Sequence, residues 1–311
     1  MNIFKNKNKT YLLPYIREDV YGDYDQIQQK GWEIKKLEVD KQWGYSQGEN
    51  VVVAVLDTGC DIKHPDIKNN IALYESFTKF DSFDVIGHGT HVIGTICANN
   101  NNIGMIGVAP KTKIISGKVL GDNGNGTMES VAEGIYWAVD NHADIITMSL
   151  GCHSYAQIVE EALEYAYKKN ITCFVAAGND GKNKPINYPA SSDYSIAVGA
   201  IDENFSRTPF TCSGDELDFL APGQDIFSTV PGGYAMMSGT SMSNPFVAGC
   251  AALLCSYAKF KGKKLNMYNY LDIMSIGTKK LKGLHNTKKL QGHGIINPAD
   301  FNKWMSIIDT L

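Results

Sequence analysis

The sequence lacks the features that mark membrane proteins and nucleic-acid-binding proteins. None of its 311 residues belongs to an apolar stretch that approaches the roughly 18 residues of a membrane-spanning helix. The net charge of −4 is small, and no basic or acidic block is present. We therefore expect neither a membrane nor a nucleic acid among the partners of this chain.

The N-terminus also lacks a secretory signal. Its lysine-bearing start leads only into the short apolar run YLLPYI, and no small-residue cleavage site follows. The seven cysteines are an odd number, and four of them lie in apolar runs where small buried thiols are expected: Cys97, Cys173, Cys250 and Cys255. Together these observations favour a location in the reducing cytoplasm.

The chain does contain a regular alternation of strand-like and helix-like segments. Buried strands are predicted at residues 51–57, 113–119, 144–150, 171–177 and 195–201. Helices are predicted between them, one with Thr127 as its N-cap and another opening with a capping box of Ser154 and Gln157. This pattern predicts an α/β fold of three layers, with a mostly parallel central sheet and helices on both faces.

Three polar side chains lie at the ends of these elements. Asp57 ends the run VVVAVLD, His88 lies in GHGTHVIGT, and Ser241 lies in SGTSMSNPFVAG. A serine becomes a nucleophile when a base accepts its proton, a histidine suits that role, and an aspartate can orient the histidine. The sequence therefore predicts a catalytic triad in the chain order Asp, His, Ser.

Other residues of the same types are weaker candidates. His91 lies about one helical turn after His88, and His64 belongs to the turn sequence HPD, so both are expected to serve structure. Asp61 is the alternative aspartate. Each chosen residue also has a structural interpretation, as a strand-end aspartate, a buried histidine or a capping serine. The three segments taken together favour catalysis.

The three segments, in this order and spacing, resemble those of the subtilisin-like serine proteases, the subtilase family. The resemblance runs from about residue 12 to GHGIINP near residue 297 and is nearest to the bacterial intracellular subtilisins. It implies the subtilisin-like fold and a serine endopeptidase that acts on protein or peptide substrates. Intracellular members are often dimers, so a homodimer is expected.

The resemblance extends to the groups around the triad. Asn179, in VAAGND, matches the side chain that donates a hydrogen bond to the oxyanion. Asn187 matches the floor of the pocket for the residue before the scissile bond, where the family often has a very small residue, and should make this pocket shallower and more polar. Two segments match the cleft walls that bind an extended peptide as an added strand: Gly124, Asn125 and Gly126, and Ser149, Leu150 and Gly151.

A calcium site is implied as well. The segment ANNNNIGMIGVAP resembles the family's calcium loop, in which oxygen atoms surround a hard cation. A further ligand from the N-terminal region is left open between Asp25 and Gln26, and a weaker second cation site near Asp218 is noted without further argument. A polar loop without metal is the alternative. Carried over by position, the ligands are the side chains of Asp66 and Asn101 and the carbonyl groups of Asn99, Ile103 and Met105.

The N-terminal segment resembles a short inhibitory extension. Leu12, Leu13, Pro14 and Tyr15 match the L-I-P-Y/F motif that opens this extension in intracellular subtilisins. Pro14 fixes its own φ and favours an extended Leu13, so the segment can lie along the cleft while no scissile carbonyl reaches Ser241. A tail that merely packs on an apolar patch is the alternative.

These features divide the chain into two parts. Residues 1–20 are expected to form an autoinhibitory extension that is removed on activation, and residues 21–311 the peptidase domain. Two other functions stay open. A processing protease dedicated to one peptide is compatible with the polar Asn187, whereas the intact triad argues against a catalytically silent scaffold.

Overall fold

A parallel sheet of seven strands forms the centre of the computed structural model, which describes residues 9–20, 28–281 and 287–311. Every neighbouring pair in this sheet is parallel, so the α/β prediction is confirmed. The five predicted strands are present, with ends that differ by at most two residues. In spatial order the strands are Leu217–Pro222 (β11), Ser195–Ile201 (β10), Thr172–Ala176 (β9), Ile145–Met148 (β7), Val52–Asp57 (β3), Lys113–Lys118 (β5) and Ile71–Ser76 (β4).

Helices cover both faces of the sheet because its strands carry apolar side chains on both sides. In β3, Val53 and Val55 belong to one core, and Ala54 and Leu56 belong to the other. The first core packs against His88–Cys97 (α2) and Thr240–Phe260 (α5), and the second against Met128–Asp140 (α3) and Gln157–Lys168 (α4). The remaining helices are Trp32–Lys36 (α1), Met267–Ser275 (α6), Lys288–Gln291 (α7) and Phe301–Ile308 (α8), with 3₁₀ turns at Val39–Gly44 and Pro298–Asp300.

The two predicted helix starts have different outcomes. Thr127 caps α3, since its hydroxyl accepts a hydrogen bond from the N–H of Ser130 at 3.0 Å. The capping box at Ser154 was wrong. Helix α4 begins at Gln157 with Ala156 as its N-cap, so no side chain caps it, and the Gln157 amide instead donates to Glu161.

Two small antiparallel sheets contain the N-terminal segment. Strand Lys9–Leu12 (β1) lies between Asn125–Thr127 (β6) and Leu150–Gly151 (β8). Strand Ile16–Val20 (β2) pairs with Gly233–Ser238 (β13), whose other edge pairs with Ile226–Val230 (β12). Because β6 and β8 follow β5 and β7 in the chain, the first small sheet lies beyond the carboxyl ends of the central strands, where α/β proteins bind ligands.

The cysteine side chains lie in the core of the protein. All seven thiols are free and buried, as expected for the four in apolar runs, and burial raises the pKa of the Cys60 and Cys97 thiols to about 12. Thiols held neutral in this way are poor nucleophiles. Within the described ranges, no helix combines the length and apolar character needed to cross a membrane.

Candidate active site

Asp57 and His88 meet at the carboxyl edge of the central sheet. Asp57 is the last residue of β3 and His88 the first of α2, and they are 1 % and 0 % exposed. His88 Nδ1 lies 2.7 Å from Asp57 Oδ1, which also accepts a hydrogen bond from the Thr58 N–H at 2.7 Å. Nε2, on the other side of the ring, is buried and has no hydrogen-bond partner among the described residues. An imidazole held in this way has one nitrogen ready to take a proton.

A second buried carboxylate, Asp84, holds the start of α2. Its Oδ2 accepts hydrogen bonds from the Thr90 N–H and hydroxyl, and its Oδ1 from the Gly87 N–H and the Thr58 hydroxyl, all at 2.7–2.8 Å. Burial raises the pKa of Asp84, and these hydrogen bonds act in the opposite direction. The carboxylate therefore ties the first turn of α2, which carries His88, to the residue that follows β3.

Ser241 is the second residue of α5 and is completely buried. Its Oγ donates to the carbonyl oxygen of Ser149 at 3.4 Å, and the Ser149 hydroxyl donates to the carbonyl oxygen of Ser241 at 3.0 Å. The Ser241 hydroxyl is therefore turned toward the cleft wall, and Nε2 of His88 receives no hydrogen bond from it. The fold brings the three predicted residues to one edge of the sheet without the serine–histidine bond.

Asn179 presents an amide donor to the same cleft. Its Oδ1 accepts hydrogen bonds from the N–H and the hydroxyl of Thr240, each at 2.9 Å. Because these donors fix Oδ1, the amide nitrogen faces the opposite way and donates to the carbonyl oxygen of Pro14 at 2.6 Å. Asn179 is thus oriented to hold a carbonyl oxygen close to Ser241.

The predicted cleft walls hold the N-terminal segment as an added strand. Tyr11 lies opposite Asn125 of β6 and Gly151 of β8. The Leu12 N–H donates to the carbonyl oxygen of Gly124 at 2.8 Å. Five of the six predicted wall residues pair with or contact this strand, and β1 occupies the groove that they form. The sixth, Ser149, bonds to Ser241 instead.

The segment continues across the catalytic residues. The ring of Tyr15 lies over that of His88, with centroids 5.1 Å apart. The guanidinium group of Arg17 then donates to the carbonyl oxygen of Ile86 at 2.6 Å, in the loop before α2. His88 is buried beneath the tyrosine side chain.

The competing candidates lie in structural roles. His91 Nε2 is 3.0 Å from the carbonyl oxygen of Ile226, and burial lowers the pKa of His91 to about 3. His64 Nε2 is 2.9 Å from the carbonyl oxygen of Gly233. The carboxylate of Asp61 accepts a hydrogen bond from the N–H of Lys63 within a turn.

Comparison with known proteins identifies the family of this chain. The sequence profile of the subtilase family matches residues 48–294, which is most of the chain. The chain belongs to the subtilase family. Over 98 % of its length this subtilase is 36 % identical to an intracellular serine protease of Paenibacillus polymyxa, of which 95 % is covered. It is 40 % identical to the major intracellular serine protease of Bacillus subtilis over 79 % of its own length and 80 % of the relative. It is 43 % identical to subtilisin DY of Bacillus licheniformis over 72 % and 82 % of the two chains. This subtilase is a subtilisin-like serine endopeptidase.

Asn187, which is expected at the floor of a substrate pocket, lies between two glycines of this subtilase, Gly151 and Gly178. A methyl group placed on Gly151 would lie 3.2 Å from Asn187 Cβ and 2.9 Å from Leu13 Cδ2. On the opposite wall, a methyl group on Gly178 would strike the Asn187 amide nitrogen, which donates to Asp180 Oδ2 at 3.0 Å. Leu13, which is completely buried, therefore lies against Gly151 on the same side as Asn187.

The asparagine-rich loop of this subtilase gathers oxygen atoms around one amide group. Gln28 Nε2 donates to the carbonyl oxygens of Asn99 and Met105 at 2.6 and 3.0 Å and to Asn101 Oδ1 at 3.3 Å. Asp66 Oδ1 accepts a hydrogen bond from the Asn101 amide at 2.8 Å. Hard oxygen atoms converging in this way suit a calcium ion. They fit the expected site, with the Gln28 amide at its centre.

The remaining expectations about cations differ in outcome. Ile103 lies on the same loop, and its N–H donates to Asn101 Oδ1. Asp25 and Gln26 lie outside the described residues, and Gln28, which the sequence reasoning missed, is the N-terminal side chain at the loop. Burial raises the pKa of Asp218 to about 7, and its Oδ2 accepts a hydrogen bond from the Ala197 N–H at 2.8 Å. In the described part of the chain, no three His, Cys, Asp or Glu side chains cluster to hold a metal.

Proposed function

We propose that Asp57, His88 and Ser241 are the catalytic triad of this endopeptidase and that Asn179 is its oxyanion donor. The Asp57–His88 hydrogen bond leaves Nε2 as the only nitrogen of the ring that can take a proton. Rotation of the Ser241 hydroxyl away from Ser149 brings it to that nitrogen. One observation carries the proposal: the Asp57–His88 pair, Ser241 and the carbonyl-binding amide of Asn179 share one cleft.

The chemistry follows from these positions. His88 Nε2 accepts the hydroxyl proton while Ser241 Oγ bonds to the scissile carbonyl carbon, and Asp57 stabilises the resulting imidazolium. The Asn179 amide donates to the oxygen that becomes negatively charged. His88 then protonates the leaving amine, the C–N bond breaks, and an ester on Ser241 remains. Water, deprotonated by His88, hydrolyses that ester and restores the serine.

Residues 1–20 act in this proposal as an inhibitory extension, and residues 21–311 as the peptidase domain. In a substrate, the residue whose side chain fills the pocket also supplies the scissile carbonyl. Here Leu13 fills the pocket, whereas Asn179 holds the carbonyl of Pro14, one residue further on. In this proposal Pro14 is a surplus residue between two paired strands. The carbonyl that Asn179 holds therefore does not belong to the residue in the pocket, and the Pro14–Tyr15 peptide bond is not presented to Ser241 as a substrate bond would be. Removal of the extension activates the enzyme.

Calcium is proposed as a structural ion at the loop that contains Asn99, Asn101, Ile103 and Met105. The carbonyl and amide oxygens that converge on Gln28 support this role, with Asp66 supplying the negative charge. Rotation of the Gln28 amide group places its oxygen atom where its nitrogen now lies and so completes a set of oxygen ligands. Bound calcium supplies charge to hold this loop closed and takes no part in catalysis.

The setting proposed for the enzyme is the bacterial cytoplasm. Two relatives carry the word intracellular in their names, and seven buried free thiols are compatible with a reducing compartment. General protein turnover is the favoured role, since strand addition reads backbone rather than side chains. A processing protease for one peptide is the alternative that the closed pocket at Asn187 favours. A homodimer is part of the proposal on resemblance alone.

Labelling with a fluorophosphonate tests the catalytic proposal. The extension is removed from the folded full-length protein by a cut within residues 21–27, and the protein is then treated with the probe. We expect covalent attachment at Ser241, which peptide mapping locates, and its loss in His88→Ala. His64→Ala is the matched control and should label if it folds. An activated, folded protein that takes up no probe would contradict the proposal.

A further inference from the structure

One lysine side chain is completely buried beside the catalytic residues and takes no part in the proposed chemistry. Lys118 is the last residue of β5 and pairs with Asp57, the last residue of β3. Its side chain is 0 % exposed. Because a lysine is almost never buried to this extent unless its charge is paired and its N–H groups are bonded, the surroundings of this ammonium group show what it holds together.

The ammonium group has three N–H donors, and three oxygen atoms from three different loops surround it. Nζ donates to the carbonyl oxygen of Thr58 at 2.6 Å and to that of Phe83 at 2.9 Å. It also forms an ion pair with Asp122, whose Oδ1 lies 2.8 Å away. The buried charge is therefore satisfied when all three loops are in place.

Each of these loops adjoins a part of the catalytic site. Thr58 follows the catalytic aspartate in the chain, and Phe83 precedes Asp84, whose carboxylate holds the start of α2. Asp122 lies in the turn that ends at Gly124, where the carbonyl oxygen accepts an N–H of the strand in the cleft. One buried charge thus joins the aspartate, the support of the histidine and a wall of the cleft.

We propose that Lys118 is a positioning residue for catalysis, which holds the Asp57–His88 pair in register with the cleft wall, and that Asp122 balances its charge. This inference rests on the proposed function, because it takes Asp57 and His88 for the catalytic pair. Lys118 acts through the three loops and through its charge rather than by contact with a substrate. A positive charge at this edge of the sheet opposes the imidazolium that forms during the reaction, and the carboxylate of Asp122 offsets part of that opposition.

Two substitutions test the proposal on the activated enzyme. Lys118→Met keeps the length of the side chain and removes all three bonds, so kcat should fall by about 10- to 100-fold and KM should rise. Asp122→Asn keeps both carbonyl bonds and weakens the link to the cleft wall alone. It should therefore raise KM by about 2- to 10-fold and leave kcat almost unchanged.

Lys113→Met is the matched control, since Lys113 lies at the exposed start of the same strand and should behave as wild type. Rates are divided by the number of active sites, counted by fluorophosphonate labelling, so that a loss of folded enzyme does not enter the comparison. If Lys118→Met does not fold, Asp122→Asn carries the test, because its side chain is 31 % exposed. If the activated wild type itself takes up no probe, the proposed catalytic function is at fault instead.

The pH dependence of kcat/KM separates positioning from a merely structural role. Its acidic limb lies where His88 becomes protonated. Lys118→Met should move this limb to higher pH by about 0.5 unit, because the imidazolium loses a repelling charge, and Asp122→Asn should move it to lower pH. Loosened packing has no reason to give shifts of opposite sign. An unmoved limb in Asp122→Asn, or shifts of the same sign in both variants, would overturn the proposal.

The other groups that face the histidine are the same in both variants, so the shifts report the Lys118–Asp122 pair. The activated enzyme lacks the two extension residues that lie near the ring, Tyr15 and Arg17. The titratable groups that remain around His88 are Asp57, Asp84 and His91.

Discussion

The two halves of the catalytic site are built in different ways. The half that contains Asp57 and His88 is complete, because β3, α2 and the buried carboxylate of Asp84 fix both side chains through hydrogen bonds of 2.7–2.8 Å. The half that contains Ser241 is incomplete, since its hydroxyl bonds to the cleft wall at 3.4 Å. The first half is held by hydrogen bonds within the fold, whereas the Ser241 hydroxyl is held only by a long bond to the Ser149 carbonyl. Under the proposed function, regulation can therefore act at Ser241 while Asp57 and His88 stay in place.

The largest expected effect comes from breaking the complete half. Asp57→Asn should lower kcat by about 10⁴-fold, because an asparagine amide favours the wrong tautomer of the histidine and does not stabilise the imidazolium. The activated variant is compared with wild type on one peptide, and its melting temperature is recorded as a check of folding. A loss smaller than tenfold would show that Asp57 does not orient His88.

Removing the occupant of the cleft should complete the second half. Loss of the extension should raise the rate of fluorophosphonate labelling by about 10²-fold or more, since several strand hydrogen bonds are lost together. Pro14→Ala in the uncut chain should hasten cleavage within residues 12–16, because the extra residue is no longer held in place by proline. Pro209→Ala, at an exposed position, is the control. An uncut protein that labels as fast as the cut one rules out inhibition.

A smaller effect is expected when the support of the first half is weakened. Asp84→Asn replaces an acceptor oxygen by an amide that faces donors at the start of α2, so kcat should fall by about tenfold. KM should change little, because Asp84 does not line the peptide strand. The measurement is a Michaelis–Menten comparison at a temperature well below the melting point of the variant. A fall in kcat/KM that arises only from KM would assign Asp84 to substrate binding.

The smallest effect on catalysis is expected at the calcium loop, which lies outside both halves. A chelator should lower the melting temperature by about 5 °C or more, because an ion bound only to the native state stabilises it. Gln28→Ala should shrink this difference, whereas Gln224→Ala should leave it unchanged. The readout is a thermal scan at matched ionic strength. Identical melting curves with and without chelator would remove calcium from the account.

The sequence predicts most of the first half and of the cleft walls. Asp57, His88 and the glycines around Gly124 and Gly151 lie within short contiguous motifs at element ends, where local sequence determines position. The strands are predicted for the same reason, since runs such as 51–57 are buried on both faces.

The features that were missed depend on contacts distant in sequence. Gln28 belongs to no motif, and it reaches the calcium loop only through the fold, 71 residues from Asn99. The pairing of β2 with β13 likewise depends on where the N-terminal segment lies. The failed capping box at Ser154 shows the converse, a local pattern that the actual start of α4 overrides.

Under the proposed function, the single residue that Pro14 adds between β1 and β2 separates the affinity of the segment from its susceptibility to cleavage. The number of backbone hydrogen bonds on either side of Pro14 sets how tightly the segment is bound. Whether the segment can be cut depends on which residue's carbonyl lies at Ser241. A ligand with more backbone hydrogen bonds and the same surplus residue would bind more tightly and be no easier to cleave. We therefore expect a peptide that copies both flanks and keeps one surplus residue between them to inhibit the enzyme.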